Sequence, residues 1–254
     1  MKKIYFASDF HLGMNAAGTS KQREKDVAAW MDEIADDASD LFLLGDIFDF
    51  WFEYKTVIPK GYSLLFSKLR KLADKGVNLH YFKGNHDLWL LDYFEEEFEM
   101  KIYSDPQVFQ LLGKKFYIGH GDGLGPGDKG YKRLKRLFRS PLSQYAYRWL
   151  HPDIGIRLAG FFSHKSRAAQ SHEEIFLGPD KEWLIQYAER KSETLEVEYF
   201  VFGHRHLPIN YLLDNGRCRY INLGDWMSFR SFGVFDGDHM EIQFYKNEMG
   251  KIYS

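Results

Sequence analysis

Short clusters of polar, metal-ligating side chains recur along this chain, and each follows directly on a run of apolar residues. The clusters are Asp9–His11, Gly45–Asp49, Gly84–Asp87, Gly119–Asp122 and Gly203–His206. They supply carboxylates, imidazoles and an amide but no thiolate, which argues against a structural zinc site of the cysteine type. Such a mixture of oxygen and nitrogen ligands suits a pair of divalent cations about 3.5–4 Å apart that hydrolyses a phosphoester.

The chemistry of each side chain suggests its place around such a pair. Asp9 and His11, two residues apart at a strand terminus, can both reach one cation if the chain kinks there. Asp46 is the natural bridge because a carboxylate has two oxygens, and Asn85 offers a neutral amide oxygen to the second cation. The two imidazoles of the last cluster can serve one cation each. Imidazole suits Zn, Fe and Ni while carboxylate and water suit Mn, so the ligands do not choose the metal.

Each cluster alone is weak evidence for a site. A Gly-Asp-x-x-Asp sequence, for example, is usually a turn or a helix N-cap. The weight lies in the order of the clusters, their position after apolar runs and their complementary chemistry. Strands that end together in one sheet deliver their following loops to one edge, where α/β proteins keep their sites. The sequence therefore predicts a dinuclear metal centre rather than scattered surface turns.

Apolar periodicity places these clusters in an alternation of strands and helices that ends in a β-rich region. We expect helices at about Lys21–Ala38, Tyr62–Asp74, Leu88–Phe98 and Asp180–Lys191. We expect strands at Lys3–Ala7, Leu41–Leu44, Val77–Phe82, Val108–Leu112, Lys115–Ile118 and Glu198–Phe202, and an antiparallel finish through Tyr211–Leu213, Arg219–Asn222 and Gly233–Tyr245. This order indicates an α/β protein with two packed mixed sheets flanked by helices.

The composition describes one large globular domain, or one domain with an insert. The chain has 254 residues, of which 44% are hydrophobic and 17% aromatic, enough for a substantial core. No apolar run approaches the roughly 20 residues of a membrane span. Asp9 interrupts the apolar stretch behind Met1, so no signal peptide is expected. The single cysteine, Cys218, cannot form an internal disulfide, which favours a reducing compartment.

The five clusters, in this order, resemble the motifs of the calcineurin-like metallophosphoesterase superfamily, and the resemblance covers most of the chain. Within it, the sequence is most similar to the UDP-2,3-diacylglucosamine pyrophosphatase branch of lipid A biosynthesis. That similarity lies in Gly45–Trp51, in His120–Asp122 followed by Asp128 and Lys129, and in a basic insert before the last motif. The resemblance implies a four-layer α/β/β/α sandwich over residues 1–254, with a helical cap insert at 123–175.

The resemblance also implies roles for individual residues. Two divalent cations, expected to be Mn²⁺ with Fe or Zn as alternatives, would be held by Asp9, His11, Asp46, Asn85, His120, His204 and His206. The catalytic set would be His86, which stabilises a phosphate oxygen or donates a proton, with Asp87 or Asp49 orienting it. The substrate would contact Asn85, His86, Asp128, Ser166, Gln170 and His204.

Two positions depart from the pattern of that branch. His86 stands where the best-known members have arginine, as in the wider superfamily, which favours a general catalytic role for this histidine. Glu173 stands where a lysine belongs in the polar set of the cap, and Lys165 or Arg167 could compensate for it.

The insert carries most of the charge asymmetry of the chain. Residues 123–170 contain ten basic and two acidic residues, a net charge of +8 in a chain whose net charge is −2. Two readings fit: a helical pair packed on the sandwich with a solvated basic face, or a cap that offers apolar area to acyl chains and positive charge to phosphates and an anionic bilayer. A nucleic-acid partner is not expected, because the segment lacks the pattern of the common binding modules.

The expected function is hydrolysis of the pyrophosphate of UDP-2,3-diacylglucosamine to UMP and 2,3-diacylglucosamine 1-phosphate. One alternative is a metallophosphoesterase that acts on a soluble phosphodiester or a dinucleoside polyphosphate. Another is a non-catalytic scaffold on the same fold, against which the intact clusters argue. No obligate protein partner is evident, and we expect a cytoplasmic protein that binds peripherally at the cytoplasmic face of the inner membrane.

Overall fold

Two mixed β-sheets packed face to face form the centre of the protein. A computed structural model describes residues 2–15, 18–125, 129–158, 175–248 and 250–254. Helices cover the outer face of each sheet, and a third apolar layer lies between the sheets. The four-layer α/β/β/α sandwich expected from the sequence is therefore confirmed.

The elements follow one another along the chain in the predicted alternation. The strands are β1 (Lys3–Ala7), β2 (Ala38–Leu43), β3 (Asn78–Phe82), β4 (Lys101–Tyr103), β5 (Gln107–Leu111), β6 (Lys114–Ile118), β7 (Tyr199–Phe202), β8 (Pro208–Leu212), β9 (Arg219–Leu223), β10 (Ser231–Phe235) and β11 (Met240–Phe244). The helices are α1 (Ser20–Ile34), α2 (Ser63–Asp74), α3 (Tyr93–Phe98), α4 (Lys129–Phe138), α5 (Pro141–Arg148) and α6 (Trp183–Ser192). Residues 152–158 are also helical, and a 3₁₀ turn covers Pro179–Lys181.

Parallel strands form the middle of each sheet, and antiparallel strands lie at one edge of the first sheet and at both edges of the second. The first sheet has the order β11-β10-β1-β2-β3-β4, in which β1 to β4 are parallel and β10 pairs antiparallel with β1. The second has the order β5-β6-β7-β9-β8, in which β6, β7 and β9 are parallel. The carboxyl ends of β1, β2, β3, β6 and β7 are followed by the five polar clusters.

Alternating side chains of the strands build the core on both faces of each sheet. Phe6 of β1 faces the second sheet, and its ring lies 5.9 Å from that of Phe116 in β6 of that sheet. On the same face, its ring stacks 5.1 Å from that of Phe42 in the neighbouring strand β2. Its neighbour Tyr5 faces the opposite way and packs edge-on against Trp30 of α1. The same alternation in β7 turns Phe200 and Phe202 towards the apolar face of α6. The two sheets and their helices therefore form a rigid base for the loops at the carboxyl edge.

The described part of the predicted insert packs on the loops behind the second and third clusters. An aromatic cluster, defined by Phe50, Phe52, Tyr54, Leu88, Trp89 and Tyr147, joins α5 to these loops. The indole Nε1 of Trp89 also donates a hydrogen bond of 2.7 Å to the Phe138 carbonyl at the end of α4. Residues 159–174 lie outside the described residues, so a cap at 123–175 stays a prediction.

Several element boundaries differ from the expectation, two of them by four residues or more, and the short strand β4 was not predicted. The predicted helix Leu88–Phe98 is helical only from Tyr93, because Leu88 and Trp89 instead complete the aromatic cluster below the insert. The first helix ends at Ile34 rather than Ala38, because Ala38 already pairs with Lys3 in the first sheet. Across the described ranges, no helix combines the length and the apolar character needed to cross a bilayer.

Candidate metal centre

The five predicted clusters meet at one edge of the sandwich. The loop after β1 is bonded to the loop after β2, since Asp9 N donates to Gly45 O at 3.0 Å and His11 N to Asp46 O at 2.9 Å. The loops after β6 and β7 are joined in the same way, with Gly203 N donating to His120 O at 2.9 Å. Backbone hydrogen bonds, rather than side-chain contacts alone, therefore set the relative positions of the candidate ligands.

Three groups of side chains bring candidate ligand atoms within 4.8 Å of one another. The groups are Asp9, His11 and His206; Asp46, His120 and His204; and His11, Asp46 and His86. Asp46 belongs to two of them, since its Oδ2 lies 3.4 Å from His120 Nε2 and 3.9 Å from His11 Nε2. Asn85 joins the second group, with its Oδ1 3.1 Å from His120 Nε2. All seven predicted metal ligands therefore lie in one place.

The buried donors suit divalent cations. Asp9 Oδ1 and His11 Nδ1 are buried without a well-directed hydrogen bond among the described residues, and the nearest group to Asp9 Oδ1 is an imidazole, His206 Nε2 at 3.2 Å. His11 and His206 face each other with their Nε2 atoms only 3.2 Å apart. Buried carboxylates and imidazoles are costly unless they are paired or coordinate a metal. The carboxylate, imidazole and amide donors found here are of the kinds that hold hard and borderline divalent cations.

The electrostatics divide the histidines into two kinds. Burial lowers the pKa of His120 and of His206, but the carboxylates of Asp46 and Asp9 outweigh it and raise these values to about 10 and about 9. Burial lowers the pKa of His11 and of His204 to about 4. The first two imidazoles are therefore protonated in the metal-free protein at neutral pH, whereas the last two are neutral.

The carboxylates stay ionised although they are buried. Burial raises the pKa of Asp9, but the imidazoles of His11 and His206 hold it below its ordinary value. Burial also raises the pKa of Asp46, and the imidazoles of His120 and His86 lower it well below the usual range. Each carboxylate thus depends on the imidazoles around it, and a bound cation would take over that role.

Outer hydrogen bonds orient two of the imidazoles. His120 Nδ1 donates to the Leu44 carbonyl at 2.6 Å, which turns Nε2 towards Asp46. His86 Nδ1 donates to the Asp49 carbonyl at 2.9 Å, so the backbone of the second cluster fixes the ring of the third. Such bonds select the tautomer and the orientation of a ligand or catalytic histidine.

Asp87 is one of the two residues predicted to orient His86. Its carboxylate instead joins the loop after β2 to the loop after β3 through hydrogen bonds. Its carboxylate accepts hydrogen bonds from Ile47 N at 2.9 Å, from Tyr81 OH at 2.6 Å and from Gly84 N at 2.7 Å. Burial, helped by the nearby Asp46, raises the pKa of Asp87 to about 6. Of the two candidates it is Asp49 that contacts His86, and it does so through its carbonyl.

Most of the candidate ligands have a left-handed backbone. Positive φ angles of 55°, 44°, 53°, 68° and 55° occur at Asp9, His11, Asp46, His204 and His206. This conformation costs an L-residue roughly 1–2 kcal/mol, and it persists only where the surroundings enforce it. The kinks let residues two apart in sequence aim at the same point.

Arg23 enforces the first of these kinks, and the sequence reasoning missed it. Its side chain is buried under the loop after β1 and donates to Phe10 O at 2.6 Å, to His11 O at 2.8 Å and to Met14 O at 2.6 Å. A signal was present, because Arg23 lies four residues before Val27 on the apolar face of α1. A charged residue on a buried helical face points to a partner such as these carbonyls.

Glycines let the backbones approach the carboxylates. A Cβ on Gly84 would lie 2.2 Å from Asp46 Oδ1, and one on Gly203 would lie 2.6 Å from Asp9 Oδ2. The space is used by hydrogen bonds, since His86 N donates to Asp46 Oδ1 at 2.8 Å and His204 N to Asp9 Oδ2 at 3.0 Å. Glycine is therefore required for steric reasons at position 84, before Asn85, and at position 203, before His204.

The cap residues predicted to contact the substrate cannot be placed. Asp128, Ser166 and Gln170 lie outside the described residues, as do Lys165, Arg167 and Glu173. Their roles stay predictions. Of the remaining predicted substrate contacts, Asn85, His86 and His204 all border the metal groups.

Comparison with known proteins agrees with the family suggested by the motifs. The model of the calcineurin-like phosphoesterase family matches residues 2–208. A UDP-2,3-diacylglucosamine hydrolase of Porphyromonas gingivalis is 35% identical over 254 residues, which cover 95% of this chain and 97% of that protein. Another, from Pseudomonas syringae pv. syringae, is 31% identical over 231 residues and covers 88% of each chain. Among solved structures, Yfce, a phosphoesterase from E. coli, superposes with a TM-score of 0.47 and 17% identity over 96% of this chain and 93% of its own, too slight a likeness to add to the argument.

Metal binding should release protons. Because the pKa values of His120 and His206 are raised to about 10 and about 9, each must lose a proton before it can hold a cation. We expect the affinity for Mn²⁺ to increase from about pH 6 to about pH 8 and to stop increasing only above these pKa values. Titration calorimetry in buffers of different ionisation enthalpy counts the protons, and an affinity independent of pH would contradict the assignment.

A side chain at position 84 should weaken metal binding. In Gly84→Ala the new Cβ would overlap Asp46 Oδ1, so we expect Mn²⁺ affinity to fall by about 10–100-fold, as for loss of a supporting contact. Gly130→Ala is the matched control, because a Cβ there meets nothing within 4 Å. Metal content and circular dichroism would be measured for both variants. A folded Gly84→Ala protein with wild-type affinity would show that the close approach is not required.

Proposed function

The chain belongs to the calcineurin-like phosphoesterase family, and from that premise we propose that it hydrolyses the pyrophosphate of UDP-2,3-diacylglucosamine in lipid A biosynthesis. The products would be UMP and 2,3-diacylglucosamine 1-phosphate. Membership of the family makes it a metal-dependent hydrolase of phosphate esters. The observation that carries the substrate is the 35% identity, over nearly the whole of both chains, to a UDP-2,3-diacylglucosamine hydrolase.

Two divalent cations would occupy the centre. One would be held by Asp9, His11, Asp46 and His206, and the other by Asp46, Asn85, His120 and His204. When bound, such a pair acidifies a water nucleophile and neutralises charge on the phosphate oxygens. We propose Mn²⁺ from the family resemblance, with Fe and Zn as the alternatives, because the mixed ligands would accept any of the three.

The side chains of the protein orient the substrate and handle protons. His86 is half-buried at the edge of the centre, and its Nδ1 proton is held by the Asp49 carbonyl. Its Nε2 is therefore the atom that can hold a proton near a phosphate oxygen and donate it to the leaving group. Asp49 keeps that ring in place, while Asp87 keeps the two loops together from beneath. His86 is thus the proposed catalytic residue, and Asp49 and Asp87 are positioning residues.

A soluble phosphodiester or a dinucleoside polyphosphate is the second candidate substrate. The observation that favours it is His86, which matches the wider superfamily rather than the arginine of the diacylglucosamine branch. The scaffold hypothesis has less support, because the candidate ligands are complete and lie together.

Activity assays should separate these substrates. With Mn²⁺, we expect turnover of UDP-2,3-diacylglucosamine to exceed that of cyclic nucleotides and dinucleoside polyphosphates, read by phosphorus NMR. Asp46→Asn should lower turnover by more than about 100-fold, since even an outer-shell partner is worth about 10–100-fold. Asp238→Asn, on an exposed turn, is the control. Faster turnover of a soluble substrate would overturn the lipid nucleotide, and an active Asp46→Asn would show that the site is misassigned.

We also propose that the protein acts in the cytoplasm and binds peripherally to the anionic inner face of the membrane. Large apolar side chains are exposed together on the described part of the insert: Leu137, Phe138, Leu142, Tyr145, Trp149, Leu150, Ile154, Ile156 and Leu158. Cations of α4 and α5 accompany them, and each basic residue near an anionic surface contributes about 1 kcal/mol at best. The combination supports reversible binding without an anchor.

Vesicle partitioning tests this location. Leu142 and Trp149 are 75% and 77% exposed, so Leu142→Ser with Trp149→Ser should weaken binding to phosphatidylglycerol vesicles at least about tenfold, because burying one such side chain contributes about 1.5–3 kcal/mol. The control pair is Val108→Ser with Leu112→Ser, two exposed apolar residues of the β5–β6 hairpin. High salt should release part of the bound protein. Equal, negligible partitioning to anionic and neutral vesicles at low salt would refute the proposal.

A further inference from the structure

A cavity of about 310 Å³ opens beside His120. Its walls are the end of β3, the turn between β4 and β5, the loop after β6 and one face of α4. The lining cations here are Lys132, Lys135 and Arg136 of α4 and Arg139, which directly follows the helix. The three residues of α4 are spaced i, i+3 and i+4 and therefore share one helical face. We call this cavity the α4 pocket. Its volume is near the lower end of the roughly 300–1,000 Å³ of small-molecule sites.

Positive charge exceeds negative charge among the described residues of the α4 pocket. Two carboxylates line it and both are paired: Asp122 lies 2.6 Å from Lys135 Nζ, and Asp105 lies 2.8 Å from Arg139 Nη1. Lys83, Lys132 and Arg136 are further cations in the lining. The ammonium groups of Lys83 and Lys132 donate to the neutral carbonyls of Leu90 and Gly125. Those bonds position the two groups. The ammonium of Lys83 also interacts with the Glu53 and Asp87 carboxylates, whereas that of Lys132 has no carboxylate partner among the described residues. The net positive charge of the lining suits an anionic ligand.

The α4 pocket adjoins the metal centre, because His120 belongs to both. The loops that carry Asp49 and His86 also border the centre, and they have different chemistry. There the aromatic cluster of Phe50, Phe52, Tyr54, Leu88, Trp89 and Tyr147 supports the insert. Of these two surfaces beside the centre, the cationic one is the cavity, while the aromatic cluster is mostly buried by the insert.

We propose that the α4 pocket is the subsite for the nucleoside 5′-phosphate half of the substrate, a refinement that rests on the proposed function. Lys132 and Arg136 bind the phosphate through charge-assisted hydrogen bonds. Pro106 and Leu124, which also line the pocket, offer apolar surface to the ribose and base. The small volume excludes two acyl chains, so the acylated sugar lies outside the α4 pocket.

The test is calorimetric titration of the Mn²⁺-loaded full chain with UMP. We expect the double variant Lys132→Gln with Arg136→Gln to bind UMP at least about tenfold more weakly, as charge-assisted hydrogen bonds are lost. The matched control, Arg133→Gln with Arg148→Gln, removes two exposed cations of α4 and α5 that do not line the described pocket, and its UMP affinity should match that of the wild type. N-acetylglucosamine 1-phosphate and inorganic phosphate probe the other sources of a phosphate group, and both should bind more weakly than UMP.

Several outcomes would overturn the subsite. These are an unchanged UMP affinity in the Lys132 and Arg136 variant, an equal loss in the control variant, or inorganic phosphate binding as tightly as UMP. The proposed function is judged separately, by turnover of UDP-2,3-diacylglucosamine. A wild type that binds UMP through Lys132 and Arg136 without that turnover supports the subsite and contradicts the function. Turnover of UDP-2,3-diacylglucosamine, together with an unchanged UMP affinity in the Lys132 and Arg136 variant, supports the function and contradicts the subsite.

Discussion

The close approach of several loops to the buried Asp46 carboxylate is the constraint on which the structure depends. Its Oδ2 faces imidazoles of two ligand groups, and its Oδ1 accepts the His86 N–H. Nothing larger than glycine fits at position 84 against it. A buried anion in this position must be matched by positive or polar groups on every side. The sandwich meets that demand by ending several parallel strands at one edge, so that short, kinked loops reach the carboxylate.

The sequence is informative about this site where local pattern and chemistry coincide. Apolar runs followed by Asp, Asn and His identify both the strands and the ligands, and the common strand edge brings them together. What local pattern does not show is tertiary support. Leu88 and Trp89 begin a segment whose pattern predicts a helix, yet they lie in a loop, because the insert packs on them. The fastening role of Asp87 depends on Ile47 and Tyr81, which only the folded chain brings near.

The insert combines two surfaces that composition alone merges into one basic, aromatic segment. Its cations at Lys132, Lys135, Arg136 and Arg139 line the α4 pocket beside His120, whereas Tyr147 packs on the aromatic side near Trp89. Helical periodicity makes this separation possible, because residues three and four apart share a face. The cations beside the metal centre are therefore separate from the aromatic packing of the insert, and their charge can orient a substrate before any chemistry occurs.

The order of strands in the first sheet has a consequence for how the protein is made. β1 lies between β2, which follows within forty residues of it, and β10, which is formed by Ser231–Phe235. While the chain is being synthesised, one edge of β1 has no neighbour until nearly the whole protein has emerged from the ribosome. An unpaired strand edge is a template for aggregation, and pairing over such a distance in sequence slows folding. The nascent chain therefore depends on protection of its N-terminal strand until the last hairpin arrives.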